Sequence, residues 1–299
     1  MTYASGGTIQ ASDYNGFVAS VNAIWGTGSG DSGYGQSTTL STVSAAVTTV
    51  TATQWSDLIA RINTISQHQT GATSGMSGPS AGSTITYLSS LSGTISTLTT
   101  NRLTAIATGS ATTTTVTNAT GWTTTATKEV TLTWANASAM RYWFNAGGYV
   151  SFTGSASALA GNTKSTDWDS LLTACGATLI QAQSSGKSGG SGTPNTNDTN
   201  QGFHDLTTSY VTIMQQFSPT ASGGYNLNNA QFQAKLNAAV GTATELSLKM
   251  ILNDVAGDVV NDTVTGTVQL DYSYFPPSAT YLSNVWGSVS VATVTNTQA

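Results

Sequence analysis

Charged side chains are scarce in this sequence. Lysine and arginine number 8 and aspartate and glutamate 13, so 7% of the 299 residues are charged, against about 25% in an ordinary soluble domain. The cations stand singly, and the net charge is −5. Proteins that bind a phosphate backbone use clustered Lys and Arg, which release counterions. The composition therefore argues against a nucleic-acid partner.

Cysteine and long apolar runs are also lacking. Cys175 is the single cysteine, so no disulfide can form within the chain. The apolar runs are only a few residues long, whereas a bilayer span needs about 20. The first residues also lack the basic start and apolar core of a signal peptide. We expect no membrane insertion, and a fold held by packing and hydrogen bonds.

Hydroxyl groups take the place of charge. The chain has 54 Thr and 38 Ser, nearly a third of all residues, together with 31 Gly. The 7 Trp, 11 Tyr and 7 Phe argue against disorder. The sequence predicts an ordered, β-prone, weakly charged protein. Neighbouring molecules could bury such a surface without leaving many ions unpaired.

An internal repeat of about 41 residues lies near the start of the chain. In each copy the apolar residues recur at i, i+3, i+4, i+7 and i+10, which predicts two amphipathic helices. Ser12 and Thr53 precede the apolar stripes as N-cap candidates. The helices could pack stripe to stripe, or stack against copies from other chains. The subunit-interface candidates are Tyr14, Phe17, Val21, Trp25, Trp55, Leu58 and Ile62.

Glycine-rich connections follow these helices. Residues 26–36 read as a loop, and the Thr/Val stretch Ser37–Val50 as a strand. Glycine and serine accumulate around Pro79 in Gly71–Gly82, which indicates a linker. Beyond it, apolar residues at spacings of three and four predict either a short coiled-coil seam or another core helix. They are Leu88, Leu91, Ile95 and Leu98.

The rest of the sequence is typical of β-structure. Short candidate strands with Gly and Asn turns favour a sandwich, crossed by one helix at Trp168–Gln183 and followed by an exposed loop at Ser184–Gly202. The strand candidates are Glu129–Trp134, Arg141–Thr153, Ser209–Phe217, Ala230–Val240, Glu245–Asn253 and Thr263–Phe275. We therefore predict an α+β chain with a helical repeat region at 1–70, a Gly/Ser linker and helical segment at 71–110, and a mainly antiparallel β-sandwich-like domain at 111–299.

Aromatic residues mark the candidate core of the β domain. In a strand, Tyr142 and Phe144 would share one face and Trp143 the other, which favours burial on both sides by a second sheet or a subunit. The core or interface candidates are Trp134, Tyr142, Trp143 and Phe144. A glycan platform built on Trp122, Trp134 and Trp143 is the alternative.

The motifs that resemble catalytic sites lack the partners that their chemistry needs. Gly30-Asp31-Ser32-Gly33 resembles the nucleophile loop of chymotrypsin-like proteases, but His68 and His204 both follow it. Gly186-Lys187-Ser188 lacks the earlier glycine of a phosphate-binding loop.

Other titratable residues also fail to form a site. His204-Asp205 has no metal-ligand spacing around it, and the pairs Asp167/Asp169 and Asp254/Asp258 read as loop carboxylates. We expect no catalytic residue, no metal and no cofactor.

Two segments carry a resemblance to a known class of protein. Ala139–Gly148, with its run Arg-Tyr-Trp-Phe-Asn-Ala-Gly-Gly, resembles a segment of virion structural proteins from tailed bacteriophages, especially marine and cyanobacterial ones. The N-terminal stretch from Ile9-Gln10 to Gly35-Gln36 is similar to a helix-plus-glycine module of the same proteins. Together the two segments cover about an eighth of the chain.

The resemblance implies a particle component without catalytic residues. We therefore expect a non-enzymatic virion subunit of the tail, baseplate or fibre apparatus, assembled in the host cytoplasm with copies of itself and other virion proteins. The alternatives are a capsid decoration or neck protein, and an adsorption module that binds a host-surface glycan or receptor. A depolymerase is the third reading.

Overall fold

The computed structural model describes residues 11–44, 50–80, 88–105, 112–118, 121–157, 159, 162–219, 225–255 and 263–298. These residues form five α-helices and eleven strands, and the strands make two antiparallel sheets. The predicted α+β class with a β-sandwich-like domain is confirmed. The chain divides into a helical unit (Met1–Gly109, Tyr142–Gly147 and Pro277–Trp286) and a β unit (Ser110–Arg141, Gly148–Pro276 and Gly287–Ala299).

The predicted repeat helices form, with a different cap. Helix α1 is Ala11–Trp25 and helix α2 is Ala52–Thr70. Thr51, not Thr53, caps α2: its side chain accepts from the Gln54 N–H, and the Gln54 side chain accepts from the Thr51 N–H. This reciprocal box satisfies two backbone donors at once. Ser12 lies inside α1, and Ile9 and Gln10 lie outside the described residues.

A third helix completes the core of the helical unit. The rings of Tyr14 and Trp55 lie 5.8 Å apart, centroid to centroid, between α1 and α2. Helix α3 (Leu88–Thr100) contacts both of them, and its Leu91 and Ile95 are buried. Of the two open alternatives for α3, the structure therefore shows the core helix rather than a coiled-coil seam. The side chain of Leu88 lies outside the described residues.

After each repeat helix an extended segment, which we call a strap, runs back along the helix. The straps are residues 40–43 for α1 and residues 74–79 for α2. On α1, Asn22 donates to the Leu40 carbonyl at 2.8 Å and accepts from the Leu40 N–H at 2.9 Å. Two turns earlier on the same face of α1, Asn15 makes the same pair of bonds with Val43, both at 2.8 Å. Side-chain amides thus supply the hydrogen bonds that a neighbouring strand would give.

The second repeat uses the equivalent positions. Asn63, which stands 41 residues after Asn22, donates to the Met76 carbonyl at 3.1 Å and accepts from the Ser74 N–H at 3.0 Å. Ser56 donates to the Pro79 carbonyl at 3.4 Å. The repeat is therefore structural, a helix plus a strap. The predicted strand Ser37–Val50 is wrong where it is described, because this segment bonds to helix side chains and joins no sheet. The described part of the predicted linker Gly71–Gly82 lies along α2 and bonds to its side chains.

The β unit consists of two antiparallel sheets. In chain order the strands are β1 (Thr112–Asn118), β2 (Thr125–Thr133), β3 (Tyr149–Ser157), β4 (Ala177–Ile180), β5 (Ser185–Ser188), β6 (Thr196–Asn197), β7 (Val211–Phe217), β8 (Asn229–Leu236), β9 (Glu245–Asn253), β10 (Thr267–Phe275) and β11 (Ser290–Gln298). One sheet has the order β1-β10-β3-β4-β5, and the other β11-β2-β9-β8-β7-β6.

The inner faces of the two sheets pack together. The rings of Phe152 on β3 and Phe232 on β8 meet edge to face, 5.7 Å between centroids. Beside them a Cβ on Gly154 would come within 2.7 Å of the Met250 sulfur and 2.6 Å of Leu172 Cδ2. A side chain at position 154 has no room, so glycine is required where the sheets and helix α5 (Thr163–Cys175) converge.

Three sequence predictions for this region were wrong. Arg141–Thr153 is not one strand, because helix α4 (Ala137–Asn145) precedes β3 and starts with the Asn136 side chain accepting from the Ala139 N–H. The helix predicted at Trp168–Gln183 ends at Cys175, because Gly176 turns the chain at a φ of 65° into β4. Ser184–Gly202 contains β5 and β6 rather than only a loop.

The strap hydrogen bonds should contribute measurably to stability. We expect Asn22→Ala to lower the free energy of unfolding by about 1–3 kcal/mol, because the backbone N–H and C=O of Leu40 lose their partners. The control is Ser20→Ala on the exposed face of the same helix, with an effect below about 0.5 kcal/mol. Urea unfolding followed by circular dichroism measures both changes. Equal losses of unfolding free energy in the two variants would contradict a stabilising role of the strap hydrogen bonds.

Candidate assembly surface

The predicted subunit-interface residues are buried within one chain. All lie in the core of the helical unit, with exposures from 0% to 7%. They are Tyr14, Phe17, Val21, Trp25, Trp55, Leu58 and Ile62. Of the two arrangements that the stripes allowed, the structure has stripe against stripe. A contact with a second copy must therefore use other residues.

The aromatic candidates are divided between the two units. Trp134 belongs to the β unit, whereas Tyr142, Trp143 and Phe144 lie on α4 in the helical unit. Trp134, Trp143 and Phe144 are buried and Tyr142 is half-buried. A sugar can stack only on an exposed ring face. With Trp122 and Trp134 each 2% exposed and Trp143 fully buried, the proposed glycan platform is wrong.

The protease-like glycine loop has a structural role in the helical unit. The Asn145 amide, itself buried, donates to the carbonyls of Gly30, Ser32 and Gly33 at 3.1, 3.2 and 3.2 Å. Asp31 forms an ion pair with Arg102. Gly35 has a φ of 78°, and a Cβ there would lie 2.4 Å from the ring of Tyr142. These contacts hold the loop as a packed turn.

His68 belongs to the same core. Its Nε2 lies 2.9 Å from the Ala146 carbonyl, which can only accept, so Nε2 carries the proton. The ring meets Tyr34 edge to face, and the Tyr34 hydroxyl accepts from Gln69 at 2.9 Å. Burial lowers the pKa of His68 below its ordinary 6.5. His68 is thus a neutral core residue bound to a backbone carbonyl.

The segment Gly186-Lys187-Ser188, which resembles part of a phosphate-binding loop, caps the C-terminal end of α5. The Lys187 ammonium donates to the carbonyls of Ala174 and Gly192 and to the Gln216 side chain. A lysine at the last turn complements the helix dipole and its free carbonyls. Beside it Cys175 is fully buried, and burial raises the pKa of its thiol to about 12.

Two of the carboxylates singled out in the sequence have partners within the fold, and one of them, Asp167, lies on α5 rather than in the predicted loop. Asp167 accepts from the Ser218 hydroxyl at 2.6 Å, and Asp254 forms a buried ion pair with Lys164. His204 packs against Phe203 in a short 3-10 turn. Asp258 lies outside the described residues.

Metal-ligand clusters and membrane-length apolar helices are absent from the described ranges. No group of three or more His, Cys, Asp or Glu side chains there is placed to hold a metal ion. None of the helices described is both long and apolar enough to cross a bilayer.

Strand β11 is an exposed edge of the six-stranded sheet. Strand β11 has β2 as its one neighbour among the described strands. Its first eight residues are all exposed, on both faces of the strand. None of its nine residues is charged and none is proline. Such an edge presents unpaired backbone groups that can template pairing with another chain.

A bulge places two valines of β11 on the inner face. Val291 pairs with Leu132 and Val294 with Val130, and the register shifts between Val291 and Thr293. Paired residues share a face, so both valines join the row of buried β2 side chains. They nevertheless remain 41% and 56% exposed. Sequence reasoning missed β11, because the bulge breaks the alternation of Val291 and Val294; the alternating Thr293, Thr295 and Thr297 were the available signal.

A buried lysine stands behind this edge. Lys128 on β2 is fully buried and donates to the Asn296 side chain of β11 at 2.9 Å. Burial lowers the pKa of Lys128 to about 8. The ammonium is thus covered by the inner face of the sandwich while its bond to Asn296 helps to fix β11.

Comparison of the chain with protein-family models, with curated protein sequences and with solved structures finds no match.

The buried His68 predicts a pH dependence of stability. Because its pKa is lower in the folded state, the unfolded chain takes up the proton first as the pH falls through 6.5. The free energy of unfolding should therefore decrease below pH 6.5, by up to about 1.4 kcal/mol per pH unit. His68→Gln should remove this part of the slope, measured by urea unfolding between pH 5 and 8. His204 is present in both the wild type and the variant. An equal pH dependence of the unfolding free energy in the two would therefore show that His68 is not the group responsible.

Proposed function

We propose that this chain is a non-enzymatic structural subunit of a tailed-phage virion, in the tail, baseplate or fibre apparatus. The observation that carries the proposal is the open strand β11, uncharged and exposed on both faces, with Val291 and Val294 uncovered beside a buried core row. An isolated soluble domain protects such an edge with charge, proline or a covering element. A subunit built into a particle covers it with its neighbours.

The composition supports the same role. Threonine, serine and amide side chains lose little on burial when each finds a hydrogen-bond partner, whereas an unpaired ion is costly to bury. With 7% charged residues, most of this surface can be covered by other subunits at low cost. The resemblance of Ala139–Gly148 and of the N-terminal module to tailed-phage virion proteins points to the particle concerned.

The contacts of the catalytic lookalikes support a role without chemistry. Asp31 pairs with Arg102, His68 with the Ala146 carbonyl, and Lys187 with the end of α5. Asp31, His68 and Lys187, the titratable groups of these motifs, thus each have a contact within the fold. The buried tryptophans also remove the main argument for an adsorption module.

Immunogold electron microscopy tests the proposal. An antibody to the purified chain should label the tails of intact phage particles from the source culture, and antibody absorbed with the purified chain should label nothing. Label over the head would contradict the tail placement and favour a decoration or neck protein. The absence of label on every particle, together with absence of the chain from purified virions by mass spectrometry, would contradict the virion role.

A further inference from the structure

Two valines on the inner face of β11 are uncovered. Val291 and Val294 continue the row formed by Val130 and Leu132 of β2, which are fully buried. The uncovered valines therefore extend the hydrophobic core to the border of the sheet. A further strand beside β11 would cover them and pair the backbone groups of the edge at the same time.

The chemistry of the strand favours a second copy of itself as that neighbour. Two copies of one strand bring like side chains together, so a charged edge repels its own copy. No residue of Ser290–Gln298 is charged, and the hydroxyl and amide side chains can hydrogen-bond to one another across the pair. An isologous contact also covers the valines of both copies at once.

We propose that β11 pairs antiparallel with β11 of a second copy about a two-fold axis at Thr295, joining the two six-stranded sheets. The axis lies at Thr295 because this residue is the midpoint of Thr293–Thr297, the part of the strand with regular register after the bulge. Residues that pair must share a face, and an axis at Thr295 matches Thr293 with Thr297 and Val294 with Asn296. This pairing makes a second copy of the chain the partner of β11. It rests on the proposed virion role only for where in the particle the contact lies.

Single-cysteine cross-linking tests the register. Thr295→Cys should give a disulfide-linked dimer under mild oxidation, because residues opposite each other in an antiparallel pair have Cα atoms about 4.5–5.5 Å apart. Thr293→Cys lies on the same face of the same strand but is two residues from the axis, and it should stay monomeric. The native Cys175 is fully buried, so the background is low. Equal cross-linking of both variants would overturn the proposal.

Charge exchange at Val294 tests the partner. Val294→Lys and Val294→Glu should each weaken the dimer by about tenfold or more, because like charges meet across the axis. An equimolar mixture of the two should recover a dimer, measured by light scattering after gel filtration. Val255→Lys is the matched control, since Val255 is also an exposed valine of the β unit, and it should dimerise like the wild type. A monomeric wild-type chain, or no recovery on mixing, would overturn the pairing.

The two proposals fail separately. A chain that is monomeric and forms no Thr295→Cys dimer, yet is labelled on phage tails, overturns the β11 pairing and leaves the virion role intact. A chain that dimerises through β11 but is absent from every particle overturns the virion role and leaves the pairing intact.

Discussion

The two N–H groups of the Asn145 side-chain amide are shared among the carbonyls of Gly30, Ser32 and Gly33, and they fix the loop around which the helical unit is built. The loop returns to the C-terminal end of α1, where the Tyr34 N–H donates to the Ile24 carbonyl. At Gly35 the backbone contacts the ring of Tyr142 so closely that a Cβ would not fit. Tyr34 then enters the core beside His68. Without the amide, the carbonyl of the buried Gly33 would lose a donor, which costs about 1–3 kcal/mol.

The same solution recurs through the helical unit. Asn15, Asn22 and Asn63 hold extended backbone against a helix, and Gln36 both donates to and accepts from the backbone of Ser283. A side-chain amide carries a donor and an acceptor at a fixed distance, so it imitates the peptide group of a neighbouring strand. A chain with 7% charged residues thus secures its loops with neutral bonds that need no counter-ion and keep their strength when a neighbour covers them.

The parts of the structure that follow from local periodicity could be predicted from the sequence. The stripes of α1 and α2 have a spacing that admits only a helix, and the alternation in β2, β9 and β10 indicates half-buried strands. Helix α4 was missed because it has only nine residues and is rich in aromatic side chains, which favour a strand. The helix-capping signal of Asn136 was weaker than this strand propensity. The straps were missed because the partner of a side-chain amide is set by tertiary structure and leaves no pattern in the chain.

The candidate site depended on the least predictable feature of all, a break in a pattern. Val291 and Val294 are three residues apart, which in a regular strand would place them on opposite faces. The bulge returns both to the inner face, so that both extend the buried row of β2. Natural edges are commonly protected by lysine or proline, and β11 has neither. Exposed valines on an edge without lysine or proline favour association with another strand, and this is the physical basis of the pairing that we propose for β11.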